Sequence, residues 1–101
     1  MKLHVELQEG WSGDLVEVTV DGKSAYQGRP KTRMQTGYAA GVEVDLADDG
    51  GGRPVLVEVK LPERGIVVRH EVEAGRETWV GLTLAGDDVR VRDQPAPFGY
   101  V

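Results

Sequence analysis

Apolar and polar residues alternate along almost the whole chain. Leu3, Val5 and Leu7 interleave with His4, Glu6 and Gln8, and Val16, Val18 and Val20 with Glu17 and Thr19. The same pattern recurs at Val42, Val44 and Leu46, at Val55, Val57, Val59 and Leu61, and at Ile66, Val68, His70 and Val72. It closes with Val80, Leu82 and Leu84, then Val89 and Val91. A period of two places each set on one face of a pleated strand. No segment sustains helical spacing, so no helix longer than a turn is expected. Valine reinforces this, because its branched Cβ is stiff and packs well on a pleated surface.

Turn residues punctuate the runs. Asp21-Gly22 is the strongest hairpin signal, since a tight turn there needs positive φ. Asp48-Asp49-Gly50-Gly51-Gly52, Pro62-Glu63-Arg64-Gly65, Ala74-Gly75-Arg76-Glu77 and Gly86-Asp87-Asp88 break the later runs. The predicted strands are 2–8, 14–20, 23–28, 31–36, 40–47, 54–61, 66–73, 78–85 and 88–92. Short strands that are polar on one face must bury the other together. The fold class expected is therefore all-β: a single-domain antiparallel β-sandwich of about 8–9 short strands. Immunoglobulin-like, transthyretin-like and C2-like topologies all stay open, and no motif ties the chain to a family. The core should hold Leu3, Val5, Leu7, Val16, Val18, Val20, Val42, Val44, Leu46, Val57, Val59, Val68, Val72, Val80, Leu82 and Leu84. The sandwich is assigned to residues 1–93 and a Pro-containing C-terminal tail to 94–101.

Composition supports this picture and removes some chemistry. The 101 residues are 40% hydrophobic and 29% charged, enough for one modest core. With no cysteine, disulfides, thiolate metal sites and cysteine nucleophiles are excluded. The net charge of −5 sets the overall field against nucleic acid. No run approaches the ~18 apolar residues of a membrane helix, and no membrane partner is expected. The start, Met1-Lys2-Leu3-His4-Val5-Glu6, alternates unlike a signal-peptide core, so a soluble, cytoplasmic protein is expected.

Candidate chemistry is sparse. His70 shares parity with Ile66, Val68 and Val72 and should point toward the core or its rim, whereas His4 shares the wet face of Glu6 and Gln8. Catalysis would need His70 in an open cleft beside Ser12, Ser24 or a carboxylate, but Gly10-Trp11-Ser12-Gly13 lacks the G-x-S-x-G spacing. Asp45, Asp48, Asp49, Asp87 and Asp88 lie in or beside turns and could pool oxygen ligands for calcium, although turns select Asp and Gly anyway. Arg29, Lys31 and Arg33 recur at period two with Gln27 and Gln35, a row that could grip an anion or guard a sheet edge together with Pro30. Trp79 is out of phase with Val80 and Leu82; it could serve a binding platform or cover Gly81, while Trp11 could plug the core. Phe98 and Tyr100, beyond Pro95 and Pro97, should dock on the domain or on a neighbouring copy.

These features predict a non-catalytic binding or assembly module that meets a protein partner or itself, with no cofactor. Arg29, Lys31, Arg33, Trp79, Phe98 and Tyr100 are its candidate contact residues. A carbohydrate- or peptide-binding sandwich using exposed aromatics is the first alternative, and a small hydrolase the second.

Overall fold

The computed structural model describes residues 1–46, 53–73 and 75–100. Among them run eight strands: β1 (Lys2–Leu7), β2 (Val16–Val20), β3 (Lys23–Gly28), β4 (Ala40–Asp45), β5 (Val55–Leu61), β6 (Ile66–Val72), β7 (Thr78–Ala85) and β8 (Asp88–Gln94). They form two four-stranded sheets, sheet I in the order β4-β1-β7-β8 and sheet II in the order β3-β2-β5-β6. The protein is an all-β sandwich. Its first two strands lie in different sheets, which excludes the immunoglobulin constant-domain arrangement, where they pair.

One strand pair departs from the antiparallel expectation. β1 and β7 are parallel, with Leu3 opposite Thr78 and Leu7 opposite Leu82. Parallel neighbours cannot be joined by a hairpin. Here the intervening chain supplies all of sheet II before returning, so the pair forms late in the sequence and centrally in sheet I.

The strand predicted over 31–36 is not formed. Lys31 makes an isolated bridge to Ser12 and Arg33 one to Tyr38, with a turn between Arg33 and Tyr38. Pro30, which is buried, lacks an N–H for a ladder, and Gly37 adopts φ +71° as the chain reverses. The Asp21-Gly22 turn is as expected: φ is 49° and 81°, both positive. Asp21 also ties the hairpin to β5, its carboxylate accepting the Leu56 N–H at 2.8 Å.

Leu3, Val5, Leu7, Val16, Val18, Val57, Val59, Val80 and Leu82 are wholly buried, as the alternation requires. Val42, Val44, Leu46 and Val68, expected in the core, are only partly buried. The cause is positional. β4 and β6 are edge strands, so their inner faces are covered from one side less than those of β1 or β5. Val55, Leu61, Val89 and Trp11 complete the core instead. Trp11 plugs one end, its indole N–H donating to the Leu82 carbonyl at 3.0 Å.

Charged residues close the open sides and ends. His70 does turn toward the rim: its Nε2 meets the Asp93 carboxylate at 2.6 Å, joining β6 to β8 across the gap between the sheets. Arg64 spans one end, donating to the Gly86 carbonyl at 2.8 Å and pairing with Asp14 at 3.1 Å.

Candidate functional site

The outer faces of the two sheets differ in how their charges are matched. On sheet II, Glu58 takes Arg69 at 2.7 Å and Lys60 at 3.3 Å. Partial desolvation pushes its carboxyl upward, but the hydrogen bonds from Lys60 and Arg69 outweigh that and hold it below the usual range. Arg29 likewise forks onto Glu63 at 2.9 and 2.8 Å and draws that carboxyl down.

Sheet I carries two transverse rows set by its register. One row is Glu43, His4, Trp79 and Gln94, and the next is Gly41, Glu6, Gly81 and Arg92. In the first, the His4 ring stacks flat on the Trp79 indole, with centroids 4.4 Å apart and planes 1° from parallel. Its two nitrogens meet Glu77 at 2.7 Å and Glu43 at 3.4 Å. A doubly protonated ring could donate to both carboxylates, a neutral one to a single partner.

The second row holds a carboxylate between two glycines, and tyrosines from outside the row use the space. A side-chain carbon at Gly41 would stand 2.5 Å from the Tyr38 hydroxyl, and one at Gly81 would stand 2.5 Å from the Gln8 amide oxygen. Tyr100 reaches back from the tail, its hydroxyl donating to Glu6 and accepting from Gln8 Nε2 at 3.1 Å. The Tyr38 and Tyr100 rings meet edge to face, with centroids 5.1 Å apart. Phe98 is buried under the Arg92 guanidinium, whose carbon lies 4.7 Å from the ring centroid. Among the described residues, no lysine or arginine pairs with Glu6.

These contacts shift the phenols. Desolvation, then the hydrogen bond to Glu6, pushes Tyr100 up to about 12. Desolvation, then the Glu6 charge, raises Tyr38. A free tyrosine ionises near ~10. The fold therefore favours the neutral Tyr100 phenol. Its contribution to stability is complete below pH ~10 and is lost as the pH climbs through about 12. The ultraviolet phenolate titration of the folded protein should contain a late component that Tyr100→Phe removes. An unchanged titration curve in that variant would refute the contact.

Beside this row lies an open hollow of about 260 Å³, lined by His4, Glu6, Tyr38, Gly41, Val42 and Glu43. A second, of about 420 Å³, lies at the Trp11 end, next to Met34, which is 97% exposed.

The sequence-derived candidates are distributed unevenly. Trp79, Phe98 and Tyr100 each pack on an outer-face residue of sheet I, Trp79 on His4, Phe98 on Arg92 and Tyr100 on Glu6. Arg29, Lys31 and Arg33 do not form a row: Arg29 is engaged by Glu63, and the other two follow the irregular 31–38 segment. Asp45 ends β4 opposite Lys2, whereas Asp87 lies in the β7–β8 turn and Asp88 begins β8 at the other end of sheet I. Six or seven strand residues, roughly 20 Å, separate them. Asp48 and Asp49 lie outside the described residues. Among the described residues, no cluster of three His, Asp or Glu is arranged to hold a metal. Among the described residues, the histidine nitrogens meet Glu43, Glu77 and Asp93, and neither Ser12 nor Ser24.

Sequence reasoning passed over Glu6, Gly41, Glu43 and the role of Tyr38. One signal was available: an isolated glycine inside an alternating strand marks a close approach by another group, and Gly41 and Gly81 both do so.

No helix among the described residues is long and apolar enough to cross a membrane. Compared with models of known protein families and with curated proteins, the chain matches none. The fold and this face thus define it as a two-sheet β-sandwich with an acidic, aromatic-flanked hollow on one outer face.

Proposed function

We propose that this protein is a non-catalytic binding module that engages a partner protein through the outer face of sheet I. The observation that carries this reading is the solvent-open hollow where Glu6, Glu43, Tyr38 and His4 converge. None of the four belongs to the buried core. Carboxylates beside aromatic rings form a recognition surface for cationic or hydrogen-bond-donating groups. Both His4 nitrogens are already turned to carboxylates, and the serines stand elsewhere, so this face gathers recognition chemistry and not a nucleophile with its base.

A random peptide library displayed on phage and panned against the chain tests the proposal. Selected peptides should bind in calorimetry and shift the amide resonances of His4, Glu6, Gly41 and Glu43. Failure to select any binder, or shifts confined to sheet II, would overturn it. Retention of oligosaccharides with quenching of Trp79 fluorescence, and no peptide binding, would transfer the face to the sugar-binding alternative.

A further inference from the structure

The hollow is bounded on one side by β4, the edge strand of sheet I, and that edge has a directional property. Met1 and Leu46 exchange main-chain bonds, the Leu46 N–H donating to Met1 at 2.9 Å and the Met1 amino group to Leu46 at 3.4 Å. Bonded pairs recur at every second residue of an antiparallel ladder. Leu3–Val44 and Val5–Val42 are then bonded pairs, and Lys2–Asp45, His4–Glu43 and Glu6–Gly41 are not. The N–H and C=O groups of Gly41, Glu43 and Asp45 consequently point away from β1. Among the described residues, none of these three makes a main-chain bond outside the sheet ladders.

Natural sheets guard such edges with Lys, Arg, Pro or a bulge. β8 carries Arg90 and Arg92, β6 carries Arg69, and β3 has Lys23 and an irregular register against β2. β4 has none of these: its sequence is AGVEVD, and its register with β1 runs without a shift over six pairs. Its only charges are Glu43 and Asp45, on the outer face, and the Glu43 side chain is 61% exposed.

We infer that β4 accepts an extended, basic segment of a partner protein as a fifth strand of sheet I. This rests on the binding-module reading above and names its partner chemistry. Main-chain pairing to Gly41, Glu43 and Asp45 supplies affinity, and alternate side chains supply selectivity. A residue opposite Gly41 projects onto the same outer face, about 5 Å from a position that has no side chain. A lysine or arginine there enters the hollow between Glu6 and Glu43, beside the Tyr38 hydroxyl. Among the described residues, Glu6 has no lysine or arginine partner and accepts from the Tyr100 hydroxyl. A lysine or arginine two residues further on faces Glu43 or Asp45.

The test uses the full chain and a capped ten-residue peptide alternating lysine with threonine, against an equivalent peptide alternating glutamate with threonine. Binding is followed by calorimetry and by hydrogen exchange of individual amides. The lysine peptide should bind, more weakly as salt is raised, and should slow exchange of the Gly41, Glu43 and Asp45 amides at least ten-fold. Glu6→Gln with Glu43→Gln should weaken binding ten-fold or more while leaving the fold intact by circular dichroism. Glu43→Pro removes an outward N–H but spares the bonded pairs with β1, and should abolish the exchange protection. Equal binding of the two peptides, or lysine-peptide binding without protection on β4, would overturn the inference. If library peptides bind this face without protecting β4, the inference fails and the binding-module reading stands. If no peptide of any composition binds, that reading fails as well.

Discussion

Replacing Trp11 by alanine is expected to cost about 3–5 kcal/mol of folding stability, as for other large core aromatics. Trp11 is 2% exposed and seals one end of the sandwich. Truncation leaves a cavity, and it also removes the indole N–H that satisfies the Leu82 carbonyl. A domain of this length is stable by about 5–15 kcal/mol, so the loss is a large share of the whole. Chemical denaturation should show the midpoint falling with little change in slope. Trp11→Phe, which refills most of the volume but not the hydrogen bond, should recover more than half of the loss. A change below ~1 kcal/mol for the alanine variant would mean that the end plug is not part of the cooperative core.

Gly10→Ala is expected to have a comparable effect for a different reason. Gly10 has φ +87°, a conformation that residues with a side chain rarely adopt. A methyl group there would stand 1.7 Å from the Leu84 carbonyl oxygen, which is backbone and cannot rotate away. The loop must shift, and the nearby bond from the Leu84 N–H to the Glu9 carbonyl, 2.9 Å long, would be lost. Backbone strain of ~1–3 kcal/mol and a lost hydrogen bond of ~0.5–1.5 kcal/mol add to about 1.5–4.5 kcal/mol. In a domain of this size the melting temperature should fall by at least ~6 °C. Gly65→Ala provides the comparison. It also has positive φ, but nothing lies within 4 Å of the added carbon, so its penalty should be strain alone and clearly smaller. Equal losses in the two variants would show that steric contact with Leu84 is unimportant.

The two substitutions touch the same junction. Leu82 and Leu84 of β7 receive the Gln8–Trp11 segment, with Gln8 N–H donating to Leu82 at 2.8 Å. That segment also positions Gln8 under Tyr100, and through it the tail on sheet I. Loosening the Trp11 end should therefore weaken the Tyr100–Glu6 contact at a distance, which the late phenolate component would report.

What could be read from the residues follows from local physics. A side-chain period of two depends only on strand geometry, so the all-β class, the inward parity of Leu3, Val5, Leu7, Val80 and Leu82, and the Asp21-Gly22 turn were all legible. The same parity put His70 at the rim and Trp79 on the outer face. It failed at 31–36, where the positions between Arg29, Lys31 and Arg33 are Pro30, which has no N–H for a ladder, and Thr32, so no continuous apolar face holds the segment in a sheet. It also overestimated Val42, Val44, Leu46 and Val68. Alternation tells which way a side chain points, but strand order tells how much lies over it.

The linear chain by itself determined that ribbons with one oily face must stack in pairs, because each such face has to leave water wherever its strand ends up. Only the tertiary structure decided which strand became an unguarded edge. It also decided that Glu6 would meet Tyr100, 94 residues away, and that the Tyr38 hydroxyl would take the space where a side chain at Gly41 would stand. Those meetings depend on the parallel return of β7 beside β1 and on the path of the tail across sheet I. No local periodicity encodes them, since they are contacts between segments whose spacing along the chain is unrelated to their spacing in the fold.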